Sequence, residues 1–335
     1  MWAETGAAGP ATPGRAPRLR DLGRRPLLAV KGINYTWDDV LAWAEARGAL
    51  ANLQNRTRSG VARFRHAVEL GRRPGTEAVS AAAAGFRYGR NLLAADQLAS
   101  WFERWELTVT EWGEYIERSL LLDDATQPPS EPAPRDDEVA EAEYVDLVCS
   151  GFLEQEALAF ASDLALADLT PIEAAGDQRV MVERALLGAA VARRNAASDP
   201  AVEYEIARHG LDWTRLDLEV LELADAGAAR EAAMCIRVDG TDISDVAAAA
   251  DAAVSHLSVY LGDLEPWLQP PLLAAQPGEL VGPVQEDGQF VLLAVSDRKP
   301  AGPTDPELRR RAESALVDRA VRRATESRVR WHEHL

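Results

Sequence analysis

The sequence predicts an α+β protein: a mainly helical N-terminal domain, completed by a long C-terminal helix, with a smaller α/β module inserted before that helix. Three observations predict it. Ala-, Leu- and Glu-rich stretches with helical period fill the chain to about residue 200. From Trp213 the period changes in WTRLDLEVLELA, where Leu216, Leu218, Val220 and Leu221 alternate with Asp217 and Glu219 as in a strand. The composition, 47% apolar and 27% charged, is that of a folded globular chain.

The elements follow in order. Met1 to Pro17, MWAETGAAGPATPGRAP, has no basic region followed by an apolar run, so residues 1–25 are expected to be a disordered tail and not an export signal. Residues 26–126 form the N-terminal helical domain. It opens with a short strand at Leu28–Val30, a turn at Lys31-Gly32, and Thr36 as the N-cap of a helix. Asp38 and Asp39 sit in that helix's first turn, where carboxylates favour the dipole, and Gly48 stops it. Helices are expected at 61–70, 77–91, 94–105 and 110–122, the last capped by Thr110 with Glu111. Trp101, Trp105 and Trp112 fit as core between the last two.

QPPSEPAPR, from Gln127 to Arg135, cannot continue a helix or a ladder and marks a proline-rich linker at 127–137. Residues 138–200 are a helical segment with helices at 138–168 and 177–194. The inserted module spans 201–302. It has a helix at 201–209, the strand at 213–224, helices at 227–238 and 244–253, a turn at 277–284 and a buried strand at 289–296. Residues 303–335 form the closing helix, with Leu308, Ala312, Ala315, Leu316, Ala320 and Val321 as its apolar stripe. That stripe is expected to pack on the N-terminal domain, against Leu41, Leu50, Leu92, Leu93, Leu98 and Trp101.

Charge narrows the function. The net charge is -18, and residues 15–90 are basic, 15 against 6, whereas 91–303 are strongly acidic, 13 against 41. A phosphate-tracking surface needs a large positive region, so nucleic acid is not an expected partner. No apolar run reaches the roughly 18 residues of a membrane span, so no membrane partner is expected. The two cysteines, Cys149 and Cys235, build neither a disulfide framework nor a metal cluster, and free thiols without an export signal point to the cytoplasm.

Catalytic and cofactor motifs are missing. There is no G-x-S-x-G, Walker loop, G-x-G-x-x-G or H-E-x-x-H. His332 and His334 are spaced at i and i+2 and do not face one another on a helix. His209 lies before Gly210, where a cation caps a helix C-terminus. His66 and His256 have no acidic or thiol neighbour at useful spacing. No catalytic residue, metal or cofactor is therefore expected.

One pattern in the module does stand out. A strand and two helices are followed by Gly262-Asp263-Leu264, Pro277-Gly278-Glu279-Leu280, Gly282-Pro283-Val284 and a strand beginning near Gly288. This resembles the parvulin (PpiC-type) peptidyl-prolyl isomerase domain. The surrounding order is similar to SurA-type chaperone-isomerases: an N-terminal strand-turn-helix, several helices, an inserted domain and a long closing helix. Where that family carries a histidine in its first strand, this chain has Glu219; where it carries one in its last strand, this chain has Phe290.

The resemblance implies a groove over the sheet, near Glu219, Leu221, Leu264, Trp267, Leu268 and Phe290. It implies a chaperone-like peptide binder that lacks the isomerase histidines and is similar to PpiC-related proteins linked to the maturation of ribosomally made peptides. The partners so implied are a precursor or unfolded peptide and the enzymes that modify it. A weakly active prolyl isomerase and a purely structural helical adaptor remain as alternatives.

Overall fold

The computed structural model describes residues 17–123, 134–286 and 288–332. The residues expected to form the tail up to 16, and most of the proline-rich linker, lie outside that set. The fold is α+β with a helical majority. The chain divides into two compact units, 1–192 with 321–335, and 193–320.

Unit 1 opens with helix α1 (Pro17–Gly23), inside the span expected to be tail. Leu19 and Leu22 are buried in the unit core, and a single apolar pair is too short a pattern to reveal a helix. Strands β1 (Pro26–Val30) and β2 (Ile33–Thr36) form a hairpin closed by Lys31 and Gly32. Their φ values, +52° and +82°, are those of the two-residue turn whose twist matches the strands. Thr36 then caps α2 (Trp37–Ala46), its own N–H donating to Asp39 Oδ2 at 2.8 Å.

The remaining helices of this unit are α3 (Ala49–Glu69), α4 (Thr76–Gly89), α5 (Ala95–Arg104), α6 (Val109–Asp123), α7 (Asp136–Cys149), α8 (Phe152–Ala167), α9 (Pro171–Ala174) and most of α10 (Gln178–Ala196). Two local readings are corrected. Thr108, not Thr110, caps α6: the Glu111 N–H donates to Thr108 Oγ1 at 3.2 Å and the Thr108 N–H donates to Glu111 Oε2 at 2.8 Å. The helix expected over 138–168 is broken at Gly151, whose φ is +78°.

The core of unit 1 is aromatic. Tyr35 and Trp43 meet Phe160 edge-on at 5.6 and 6.0 Å, and Phe86 meets Trp101 and Trp112 at 5.4 and 5.6 Å. Trp105 is buried, while Trp101 and Trp112 are half-buried against the same core. One buried carboxylate, Asp146, accepts from both the Arg118 guanidinium and the Thr57 hydroxyl, the latter at 2.8 Å.

Unit 2 begins with α11 (Asp199–Arg208) and continues through β3 (Arg215–Leu223), α12 (Ala226–Val238), α13 (Ile243–Ala249), β4 (Val254–Tyr260), α14 (Gln269–Ala274), β5 (Leu280–Glu286) and β6 (Gln289–Lys299). Asp225 caps α12 by accepting from the Gly227 and Ala228 N–H groups at 2.8 and 2.9 Å, and Asp242 caps α13 from Ser244 at 2.8 Å. The four strands form one antiparallel sheet in the order β4-β3-β6-β5. The sequence reading missed β4 altogether and took β5 for a turn. Ser and His interrupt the apolar pattern of the first, and Gly282-Pro283 that of the second.

The closing helix α15 (Pro306–Arg328) is shorter than expected, and its first half packs differently, whereas its end from residue 321 belongs to unit 1, where Arg328 donates to the Ala165 carbonyl at 2.7 Å. Leu308 and Ala312 are buried, and Leu316 half-buried, against Val202 and Ile206 of α11 and Tyr260 of β4, not against the N-terminal residues anticipated. Arg319 pairs with the buried Glu205 of α11. The chain then forms β7 (Val329–Trp331), which pairs with β1 and completes a sheet of order β2-β1-β7 in unit 1. Among the described residues no helix is long and apolar enough to cross a membrane.

Candidate functional site

The module's sheet is covered on both faces, and strand alternation decides which residue goes where. Leu216, Leu218 and Val220 of β3 join Val291, Leu293 and Val295 of β6 on one face, under Leu261, Leu268 and Leu272. Leu221 and Leu223 join Leu292 and Ala294 on the other, under Ala229, Ala232 and Val246 of α12 and α13.

The six anticipated groove residues are therefore not brought together. Leu264 and Leu268 lie on the α14 face. Leu221 and Phe290 lie on the α12–α13 face, and alternation places Glu219 there too. Trp267 belongs to neither cluster and is 54% exposed, as its place between Pro266 and Pro270-Pro271 suggested. The discrepancy is one residue of register, which moves every side chain of a strand to the opposite face.

The two positions that stand for the family histidines are also separated. Glu219 pairs with Ala294, and Phe290 pairs with Leu223, four rungs away. At about 3.3 Å per residue that is about 13 Å along the strand, so the two are not cross-strand neighbours. What sequence reading overlooked is the neighbour of Glu219. His256 on β4 is its directly opposed cross-strand partner, exposed to solvent. No local spacing could reveal this, because β4 itself was not anticipated.

Beside that pair lies a small ionic group. Asp217 accepts from Lys299 and from the Ser258 hydroxyl, each at 2.6 Å. The Lys299 hydrogen bond, then that of Ser258, holds its carboxyl below the usual carboxylate range. The α14 face is apolar by contrast. Val259, Leu264, Val281 and Val284 are half-buried there, and Leu257, opposite Leu218, is 45% exposed.

Unit 1 holds a cavity of about 490 Å³ between α3, α6 and α7, with Val61, Phe64 and Val145 among its lining residues. Most of its charged rim is already paired: Glu111 and Glu141 with Arg18, Glu138 with Arg65, and Arg118 with Asp146.

Other reactive groups are equally quiet. Burial pushes the Cys149 thiol up, away from the reactive thiolate, and Cys149 and Cys235 are unbridged. His209 ends α11 as a cap, its ring stacked on Trp213 at 4.8 Å and its Nε2 3.3 Å from Glu205. Among the described residues no group of three or more His, Cys, Asp or Glu could hold a metal ion.

No protein-family model matches the chain, and no curated protein matches it. Among solved structures, one match comes from work on the virulence factor PEB4 and the periplasmic protein Cj1289, two SurA-like chaperones of Campylobacter jejuni. It covers 93% of this chain and 100% of that one, at 9% identity and a TM-score of 0.18.

Proposed function

We propose that this is a chaperone-like peptide-binding protein whose four-stranded module holds extended polypeptide without isomerising it. The observation that carries the reading is a sheet with the parvulin-like order of motifs in which the positions expected to do chemistry are dispersed. The first strand, two helices, G-D-L segment, P-G-E-L turn and last strand keep the order of the resemblance, with β4 and β5 as strands additional to it. Glu219 and Phe290 stand rungs apart, and Glu219 belongs to a polar, solvent-reached end of its face. Turning an X-Pro bond over a barrier of about 18–20 kcal/mol needs a site that grips the ring and desolvates the amide. Holding a peptide needs less, namely apolar surface and main-chain partners.

A role in maturing a ribosomally made precursor, in company with its modifying enzymes and in the cytoplasm, belongs to the same proposal and is supported by the family resemblance alone. The test is calorimetric titration of the full chain with a reduced, alkylated unfolded protein and with short precursor-like peptides. Micromolar binding is expected, with no acceleration in a protease-coupled proline assay. Absence of binding up to high micromolar concentrations overturns the reading, and acceleration that disappears in Phe290→Ala replaces it with isomerase activity.

A further inference from the structure

The sheet edges of the two units differ in how they are protected. Unpaired edge strands invite foreign strands, and proteins blunt them with short length, charge, proline or bulges. In unit 1 the edge strands are β2 and β7, of 4 and 3 residues. In unit 2 the β5 edge carries Pro283, a register break between Val281 and Val284, and Glu286. The β4 edge has none of these. Its 7 residues, VSHLSVY, contain no proline and no carboxylate, lysine or arginine, and run in unbroken register against β3 from Val254 to Tyr260.

Its free main-chain groups can be assigned. Leu261 donates to the Thr214 carbonyl at 2.9 Å, so bonded pairs recur at Leu216–Val259, Leu218–Leu257 and Val220–Ser255. The alternate residues, Val254, His256 and Ser258, turn N–H and C=O away from β3. No other strand among the described residues pairs with that side. Leu257 on one face is exposed apolar surface. On the opposite face Glu219 stands behind His256 with no ion pair among the described residues, whereas Asp217 is already matched by Lys299.

We propose that β4 is a docking edge on which an extended polypeptide adds as a fifth strand, apolar residues on the Leu257 face and lysine or arginine on the His256 face. This rests on the peptide-binding reading above and deepens it. Main-chain bonds from Val254, His256 and Ser258 give affinity, and alternate side chains give selectivity. An added strand lies about 10 Å from β3, within the summed reach of a lysine and Glu219. Charge complementarity thus selects a basic, alternating segment.

The probe is a blocked, fluorescent heptapeptide alternating lysine with valine or leucine, titrated into the full chain by anisotropy. N-methylating the alternate amides that face β4 is expected to weaken binding by about tenfold or more, while methylating the other row leaves it unchanged. His256→Pro removes an outward amide and no ladder bond, as tolerated on an edge, and should weaken binding similarly. Glu219→Gln should weaken the lysine peptide by about threefold and leave a serine analogue unaffected. Equal binding of both methylated peptides overturns the edge mode even if His256→Pro fails to fold, and leaves the peptide-binding reading standing. Failure of both the heptapeptide and the unfolded protein to bind overturns that reading itself. A concentration-dependent dimer that His256→Pro dissolves would also overturn the proposal, because a second copy would then occupy the edge.

Discussion

The two units solve the burial problem with different materials. Unit 1 buries Trp37, Trp43, Tyr144 and Phe160 completely. Unit 2 has no tryptophan or phenylalanine fully buried among its described residues; its sheet is lined on both faces by leucine, valine and alanine in two separate clusters. A helical core can be deep enough to enclose an indole, whereas each face of a four-stranded sheet has only one thin layer of cover. The difference leaves Trp267, Leu257 and Phe290 available at or near the surface of unit 2. Unit 1 exposes apolar side chains as well, Ile172 and Leu187 among them, so the two units differ in what they bury and not in whether they leave apolar surface.

Trp43→Ala should break the first half of that comparison. It empties a fully buried site against Phe160, and the expected loss is about 3–5 kcal/mol of stability by chemical denaturation. A loss below about 1 kcal/mol would show that the core of unit 1 repacks freely.

A smaller effect is expected from the pair that ties α15 to α11 inside unit 2. The hydrogen bond from Arg319 holds the Glu205 carboxyl below its usual range, against the opposing effect of burial. A depressed folded pKa stabilises the protein above the unfolded value, about 4.5, and that contribution fades as pH falls through the lower folded value. Glu205→Gln should therefore lower stability at neutral pH and flatten the acid limb below about 4.5. Melting curves of both proteins between neutral pH and acid measure it, and parallel curves would show that the pair contributes nothing.

Trp267→Ala should have the smallest effect on stability, about 0.5 kcal/mol or less, because 54% of the residue is already in solvent. If it also contacts the bound peptide, affinity falls by about 1–3 kcal/mol while the melting temperature stays put. A large stability loss would mean that the exposed indole supports the fold after all.

Legibility followed range. Local signals were read correctly where one element carries its own chemistry: Thr36 before Asp39, the Lys31-Gly32 turn, and the alternation of β3. The exposure of Trp267 was legible for the same reason, since flanking prolines restrict the turn around it. Two local signals were misread, the Thr108 cap of α6 and the break at Gly151, and the larger misreadings lie where the deciding partner is distant in sequence. The first half of α15 was assigned to the wrong neighbour because Leu308 and Ala312 fit any apolar stripe, and only the fold shows that α11 supplies it.

The candidate site divides in the same way. Period-two alternation in β3 determined that one set of side chains would face opposite to the other, and the absence of catalytic motifs was plain from residue types alone. Which set faces α14 was decided by packing, because the set with Asp217 and Glu219 also carries Leu221 and Leu223 and is covered by helices in its turn. That β4 is the unprotected edge, and that His256 stands across from Glu219, are facts of strand order and register. Those arise from hydrogen bonds between segments remote in the chain, so the sequence by itself could supply the strands but not their neighbours.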